Sequence, residues 1–187
     1  VRLRQFGAEE SDRGAWSEMV RLQRRVAAAV AVVLAAAGGS LAAGPSPGPL
    51  TVGGARGETC TPSAEGKGVG FGEPLQLSAT APATIESVAL VGASGLAISE
   101  TYIVPDVDHL GVGTYLADEG AGTPGWAKRM PAVGAVLEPS DDVSIATEVL
   151  RLDDVGTAVG LRVRYTVAGT EYEATGGMRY RVEDSCY

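Results

Sequence analysis

From residue 159 to 167 the chain alternates. Leu161, Val163, Tyr165 and Val167 fall on one side of an extended backbone, with Arg162, Arg164 and Thr166 on the other. Successive side chains of a strand point to opposite faces, so this spacing buries one face and leaves the other in water. Wound into a helix, the same residues would spread around the whole circumference. Ala168-Gly169 then turns the chain, and Glu171, Tyr172, Glu173 and Ala174 run back in the same alternation. This is a hairpin, with Gly169 supplying the positive φ. Across its wet face Arg162 and Arg164 oppose Glu171 and Glu173, pairs that each contribute about 0.2–1 kcal/mol and help set register.

The rest of the chain repeats this theme less cleanly. Residues 74–81 place Leu75, Leu77 and Ala79 in alternation, and apolar groups follow at 85–91, 96–104, 132–137 and 143–152. Residues 179–182 form a closing strand. Gly92-Ala93-Ser94-Gly95 and Asp153-Asp154-Val155-Gly156 are turn signals, the second read as a hairpin turn. Short strands separated by turns, with no helical period, predict an all-β antiparallel β-sandwich of immunoglobulin-like architecture with about 7–9 strands. The Cys–Trp–Cys spacing of antibody domains is absent, so the resemblance is one of architecture alone.

Two cysteines frame this domain: Cys60 near its start and Cys186 one residue from the end. In an exported chain such a pair reads as a structural disulfide. Its loop would be worth about 4–5 kcal/mol by the chain-entropy argument. A metal or redox pair would call for CxxC spacing or nearby His ligands, and neither is present.

Export is suggested by the N-terminal third. Arg21, Arg24 and Arg25 precede a twelve-residue Ala/Val run from 26 to 37, and small residues follow up to Gly44. Positive charge, apolar core and small residues, in that order, make an export signal. The run is short of the roughly 20 residues a membrane-spanning helix needs. The expected organisation is therefore a non-native or cytoplasmic extension at 1–18, a signal peptide at 19–42 cut after Ala42, a flexible Pro/Gly linker at 43–57, and the β-sandwich at 58–187. An uncleaved 21–43 helix would instead associate the protein with a membrane.

Residues 1–42 hold six Arg and four acidic residues, so the remainder carries nine basic and nineteen acidic residues. Such a domain repels phosphate backbones, which argues against a nucleic-acid partner. The chain has no Asn and only two Lys, Lys67 and Lys128. With the leader, that bias points to an exported actinobacterial protein.

Signs of chemistry are sparse. The lone histidine, His109, follows Asp106 and Asp108, and these three are the weak candidates for a metal or catalytic group. A solvated loop is the simpler account. Gly120-Ala121-Gly122-Thr123-Pro124-Gly125 matches GxGxxG, but acidic residues precede it and no amphipathic helix follows, so it reads as a loop. No serine sits in a nucleophile elbow. The paired acids elsewhere, including Asp141-Asp142 and Asp153-Asp154, lack the spacing of a calcium loop. Nothing calls for a cofactor.

Gly125-Trp126-Ala127-Lys128-Arg129 holds the only Trp beyond the leader, next to the only adjacent basic pair of the acidic domain. Trp126, Lys128 and Arg129 are the candidate binding residues; the alternative is that Trp126 plugs the end of the sandwich. The expected function is that of an exported, non-enzymatic binding or structural module of the bacterial cell envelope, with an envelope protein or cell-wall polymer as partner. A membrane-anchored accessory subunit is the second reading, and a metal-dependent module or enzyme the third.

Overall fold

The computed structural model describes residues 46–54 and 56–187. The expected extension, the signal peptide, its cleavage after Ala42 and the possible 21–43 membrane helix lie outside them. Among the described residues, no helix is long and apolar enough to cross a membrane.

Among the described residues, fourteen strands account for nearly all the regular structure: β1 (Ser46–Pro47), β2 (Leu50–Val52), β3 (Gly57–Pro62), β4 (Gly68–Leu77), β5 (Ala83–Val91), β6 (Leu96–Pro105), β7 (Thr114–Leu116), β8 (Met130–Pro131), β9 (Val136–Leu137), β10 (Val143–Arg151), β11 (Val155–Ala158), β12 (Gly160–Val167), β13 (Thr170–Thr175) and β14 (Met178–Glu183). One 3-10 turn spans Trp126–Lys128. Eight of the strands are six residues or longer, which matches the expected number; the others are short edge pieces.

The strands form three sheets. Sheet A runs β1-β13-β12-β5-β9, sheet B runs β2-β4-β10-β6-β8 with β7 also on β4, and sheet C runs β11-β14-β3. Pairing is antiparallel except for β1 on β13 and β3 on β14. The chain is a β-sandwich: residues from all three sheets meet in one core that includes Phe71, Ile85, Ile145, Val149, Leu161, Val163, Tyr165 and Val182. Leu161, Val163, Tyr165 and Val167 are all buried, as their alternation requires. The outermost strands of sheet A are two residues long, β1 beside Tyr172 and Glu173 of β13 and β9 beside Ala83 and Thr84 of β5.

The expected hairpin is β12–β13. Arg164 lies directly opposite Glu173, and its Nε is 3.0 Å from that carboxylate. Both turn residues have positive φ, Ala168 at 49° and Gly169 at 79°. Residues 153–156 do not make a hairpin: β10 pairs with β4 and β6, whereas β11 pairs with β14, so the turn carries the chain from sheet B to sheet C. Arg151 ties this corner down from a buried position, donating to the Asp154 carbonyl at 2.9 Å and to Asp184 at 2.7 Å.

Two boundaries differ from the sequence reading. The 43–57 segment is not simply a spacer. Ser46–Pro47 pairs with β13, Leu50–Val52 pairs with β4, and Leu50 and Val52 are buried. The Leu50 amide donates to the Tyr165 hydroxyl at 2.9 Å, which holds the segment to the core. β4 also begins at Gly68, six residues ahead of the expected strand. Its first half, Gly68-Val69-Gly70-Phe71-Gly72, puts Val69 and Phe71 into the core and a glycine at every outward position. Cys60 of β3 and Cys186 beyond β14 are disulfide-bonded across a separation of 126 residues, as their places in the chain predict.

Candidate binding site

The outward glycines of β4 decide where the site lies. A Cβ on Gly70 would fall 2.0 Å from the Tyr115 ring, and one on Gly72 would fall 2.0 Å from the Val112 carbonyl oxygen. Glycine in a strand marks close approach of other chain. Here the approaching chain is the connection between β6 and β8, residues 106–129: its β7 pairs with β4, setting Tyr115 directly opposite Gly70, and Val112, Ala121 and Trp126 pack against the outer face of sheet B. Beneath it Val104, Val112, Ala121 and Ala146 form a second, smaller core, with Tyr102, Tyr115 and Trp126 packed against it. This is why β10 is buried on both faces. The GxGxxG match belongs to this cover. Ala121 is buried in the small core, and Gly120, at φ 73°, lies so close to the Trp126 indole that a Cβ would come within 2.5 Å of Nε1.

Trp126 therefore does not plug the end of the sandwich. It lies half-buried on the outer face of sheet B, edge-on to Tyr115 (ring centroids 4.9 Å apart) and to Tyr102 (5.6 Å). The Arg129 guanidinium carbon is 4.5 Å from the Trp126 ring centroid and 5.1 Å from that of Tyr102, so one cation faces two π surfaces. Arg129 also donates to the Trp126 carbonyl at 3.2 Å. Lys128, in the same turn, is exposed and faces neither ring.

Two carboxylates complete the site. The register of sheet B sets Glu148 of β10 opposite Glu100 of β6, with a bulge immediately beyond, between Glu148 and Val149. Like charges directly opposite on a sheet repel. Each carboxylate is held by a phenol: Tyr102 donates to Glu100, and Tyr115 donates to Glu148 at 3.4 Å. Burial, and then the neighbouring Glu100, raise the Glu148 carboxyl above the usual range, with Arg129 pulling the other way. Burial followed by the Glu148 charge pushes the Tyr115 phenol well up, while for Tyr102 the hydrogen bond to Glu100 is the main cause of a rise. The result is a negatively charged corner with aromatic walls and an arginine in it.

Sequence reading found Trp126 and Arg129 but not Tyr102, Tyr115, Glu100 or Glu148. Those four become neighbours only through the pairing of β6, β10 and β4. The alternating glycines were the one sequence signal of a face prepared for close cover.

The weak metal candidates do not gather. Asp108 and His109 sit at φ 60° and 56° in an exposed turn. His109 Nδ1 lies 2.9 Å from the Asp142 carboxylate, and its ring is almost fully exposed. The Asp106 carboxyl is raised, first by desolvation and then by Asp142, and its amide donates to the Asp142 carbonyl at 2.8 Å. Asp106, Asp108 and His109 do not place three ligand atoms close enough to share an ion. Among the described residues, the group that does is Cys60, Glu183 and Cys186, whose sulfurs are joined to each other. A depression of about 400 Å³ on the outer face of sheet A is lined by Glu86, Arg164, Thr166 and Glu171 among others, but Arg164 is already engaged by Glu173.

The sequence matches no protein-family profile and no curated protein. Among solved structures, the chain is similar to the ASH/PapD-like domain 7 of human CEP192, with 13% identity over 80% of this chain and 93% of that one at a TM-score of 0.35. It is also similar to the N-terminal domain of PorA, with 10% identity over 73% of this chain and 98% of that one at a TM-score of 0.33. The β-sandwich stands on the strand pairing itself; likeness at this level carries no argument about function.

Proposed function

We propose that this protein is an exported, non-enzymatic β-sandwich module of the bacterial cell envelope that works by binding, and that Trp126 and Arg129 on the outer face of sheet B form its contact. The observation that carries this reading is the arrangement of Arg129 over Trp126 and Tyr102, at the edge of a loop fixed to the sheet rather than hanging free. A half-buried aromatic held rigidly beside a cation is the composition of an interface anchor. Export is supported by the basic-then-apolar leader and the disulfide, a bond that persists in oxidising compartments. Non-enzymatic action is supported by the exposed, turn-borne position of the single histidine.

Two measurements test this. Intact mass and N-terminal sequencing of protein from a native-type host should find a start at residue 43 in the medium or cell wall; an intact leader in the membrane fraction would favour the anchored accessory subunit. Affinity capture from envelope extracts should lose its partner with Trp126→Ala and keep it with Arg162→Ala, a change on the opposite sheet. Equal capture by both variants would remove the outer face of sheet B as the contact.

A further inference from the structure

The corner that holds Arg129 has the features of a cation receptor independently of Arg129. The Tyr102 and Trp126 rings are inclined at 75° and make two walls, and both face the guanidinium. Glu100 and Glu148 stand side by side at the base, a like-charge pair that the sheet register imposes. Nothing in folding requires two carboxylates in adjacent outward positions of neighbouring strands, and their repulsion opposes folding. A cation in the corner turns that repulsion into attraction. The β-bulge beside the pair is the kind of irregularity that re-aims side chains next to binding sites. Arg129 itself is exposed, on a long flexible stem, and reaches the corner from the turn rather than from the sheet.

We propose that the corner formed by Tyr102, Trp126, Glu100 and Glu148 is a receptor for a basic side chain of a partner protein, and that Arg129 is its resident, displaceable occupant. This rests on the reading of the outer face of sheet B as the contact and names the chemistry it recognises. The partner group is a guanidinium or alkylammonium, because planar cations stack on indole and phenol faces and pair with carboxylates. A protein carries it rather than an anionic lipid surface, because the domain's nineteen acidic residues against nine basic ones repel such a surface and attract a basic partner. Arg129 acts as a tethered competitor. It covers the two rings in the free protein and so raises the concentration that an isolated cation needs to enter the corner, whereas a docked partner delivers its side chain at high effective concentration.

The test uses the full chain carrying Trp16→Phe, which leaves Trp126 as the sole indole and its fluorescence as the readout. N-acetylarginine methylamide is titrated against this protein and against the same protein with Arg129→Gln. The expected result is saturable binding with a midpoint at least fivefold lower for Arg129→Gln, abolished by further Glu100→Gln, and no response to the uncharged citrulline analogue. Arg129→Met, which keeps the aliphatic cover without the charge, should behave as Arg129→Gln does. Equal midpoints with and without Arg129, or an equal response to the citrulline analogue, would overturn the proposal. Binding of tetramethylammonium with no binding of the arginine probe would overturn the assignment to a basic side chain. Flat titrations together with loss of capture on Trp126→Ala would sink the cation receptor alone and leave the contact surface standing.

Discussion

Glu73 should make this domain less stable as pH rises from acid to neutral, against the usual behaviour of carboxylates. It lies on the inner face of β4 between Phe71 and Leu75, only 4% exposed. One carboxyl oxygen accepts from the Tyr180 hydroxyl, and the other is buried without a partner. Gly53 and Gly176 close over that second oxygen so tightly that a Cβ on either would fall 2.3 or 2.4 Å away. Desolvation therefore dominates and raises the carboxyl, with the Tyr180 hydrogen bond pulling more weakly in the other direction. A raised native value means that the folded protein keeps a proton the unfolded chain gives up near pH 4.5. Over that interval the native state binds more protons, so unfolding free energy falls with pH at up to about 1.4 kcal/mol per unit. The contribution is fully present below the unfolded value and lost as pH rises through the folded one. Glu73→Gln keeps an acceptor for Tyr180 and removes the titration. Relative to wild type, it should gain about 1–3 kcal/mol between pH 4 and pH 7.5, the scale of leaving a buried polar atom unsatisfied. Tyr180→Phe removes the donor to this carboxyl and should cost about 1.5–3 kcal/mol on the alkaline side of the Glu73 titration, and about 0.5–1.5 kcal/mol in the Glu73→Gln background. Urea unfolding at a series of pH values measures all of this. Glu148 and Asp106 are also raised and titrate in both proteins, so the difference between the two curves isolates Glu73. Parallel curves from pH 4 to 7.5 would refute the reasoning.

Two further perturbations separate the other supports of the fold. Replacing Cys60 and Cys186 by alanine opens a 126-residue loop and should lower stability by about 4–5 kcal/mol, with the denaturation midpoint of the oxidised protein as reference; a loss under 1 kcal/mol would mean that the pairing of β3 with β14 already does this work. Gly72→Ala would drive a methyl against the Val112 carbonyl and should cost about 2 kcal/mol while lifting the 106–129 cover. Faster amide exchange in that segment than in β12 and β13 checks it, and uniform protection would show that the cover tolerates the extra methyl.

What the sequence determined by itself is what depends on neighbours along the chain. Alternation from residue 161 to 167 sets strand β12 and its buried face, because the period of two is local geometry. The turn at Ala168-Gly169 and the Arg164–Glu173 pair follow, because a tight hairpin fixes register across two residues. The disulfide followed from there being only two cysteines, one at each end of the domain, behind a leader of export type. Trp126 and Arg129 stood out for the same kind of reason, as the one Trp beyond the leader and part of the one adjacent basic pair in an acidic domain.

Tertiary structure decided the rest. The first half of β4 was hidden because its outward residues are glycines, which score poorly as strand formers. Their use is to admit Tyr115 and Val112, forty or more residues away, and that purpose exists only once the cover is in place. Leu50 and Val52 were masked by the Pro and Gly around them and became strand residues by burial against β4. The 153–156 turn has hairpin composition, yet it joins two sheets, because β10 already has a partner on each edge. Glu100 and Glu148 are 48 positions apart and unremarkable in sequence. Register across β6 and β10 puts them side by side beneath Tyr102 and Trp126, and long-range strand pairing, which no local pattern encodes, creates the site.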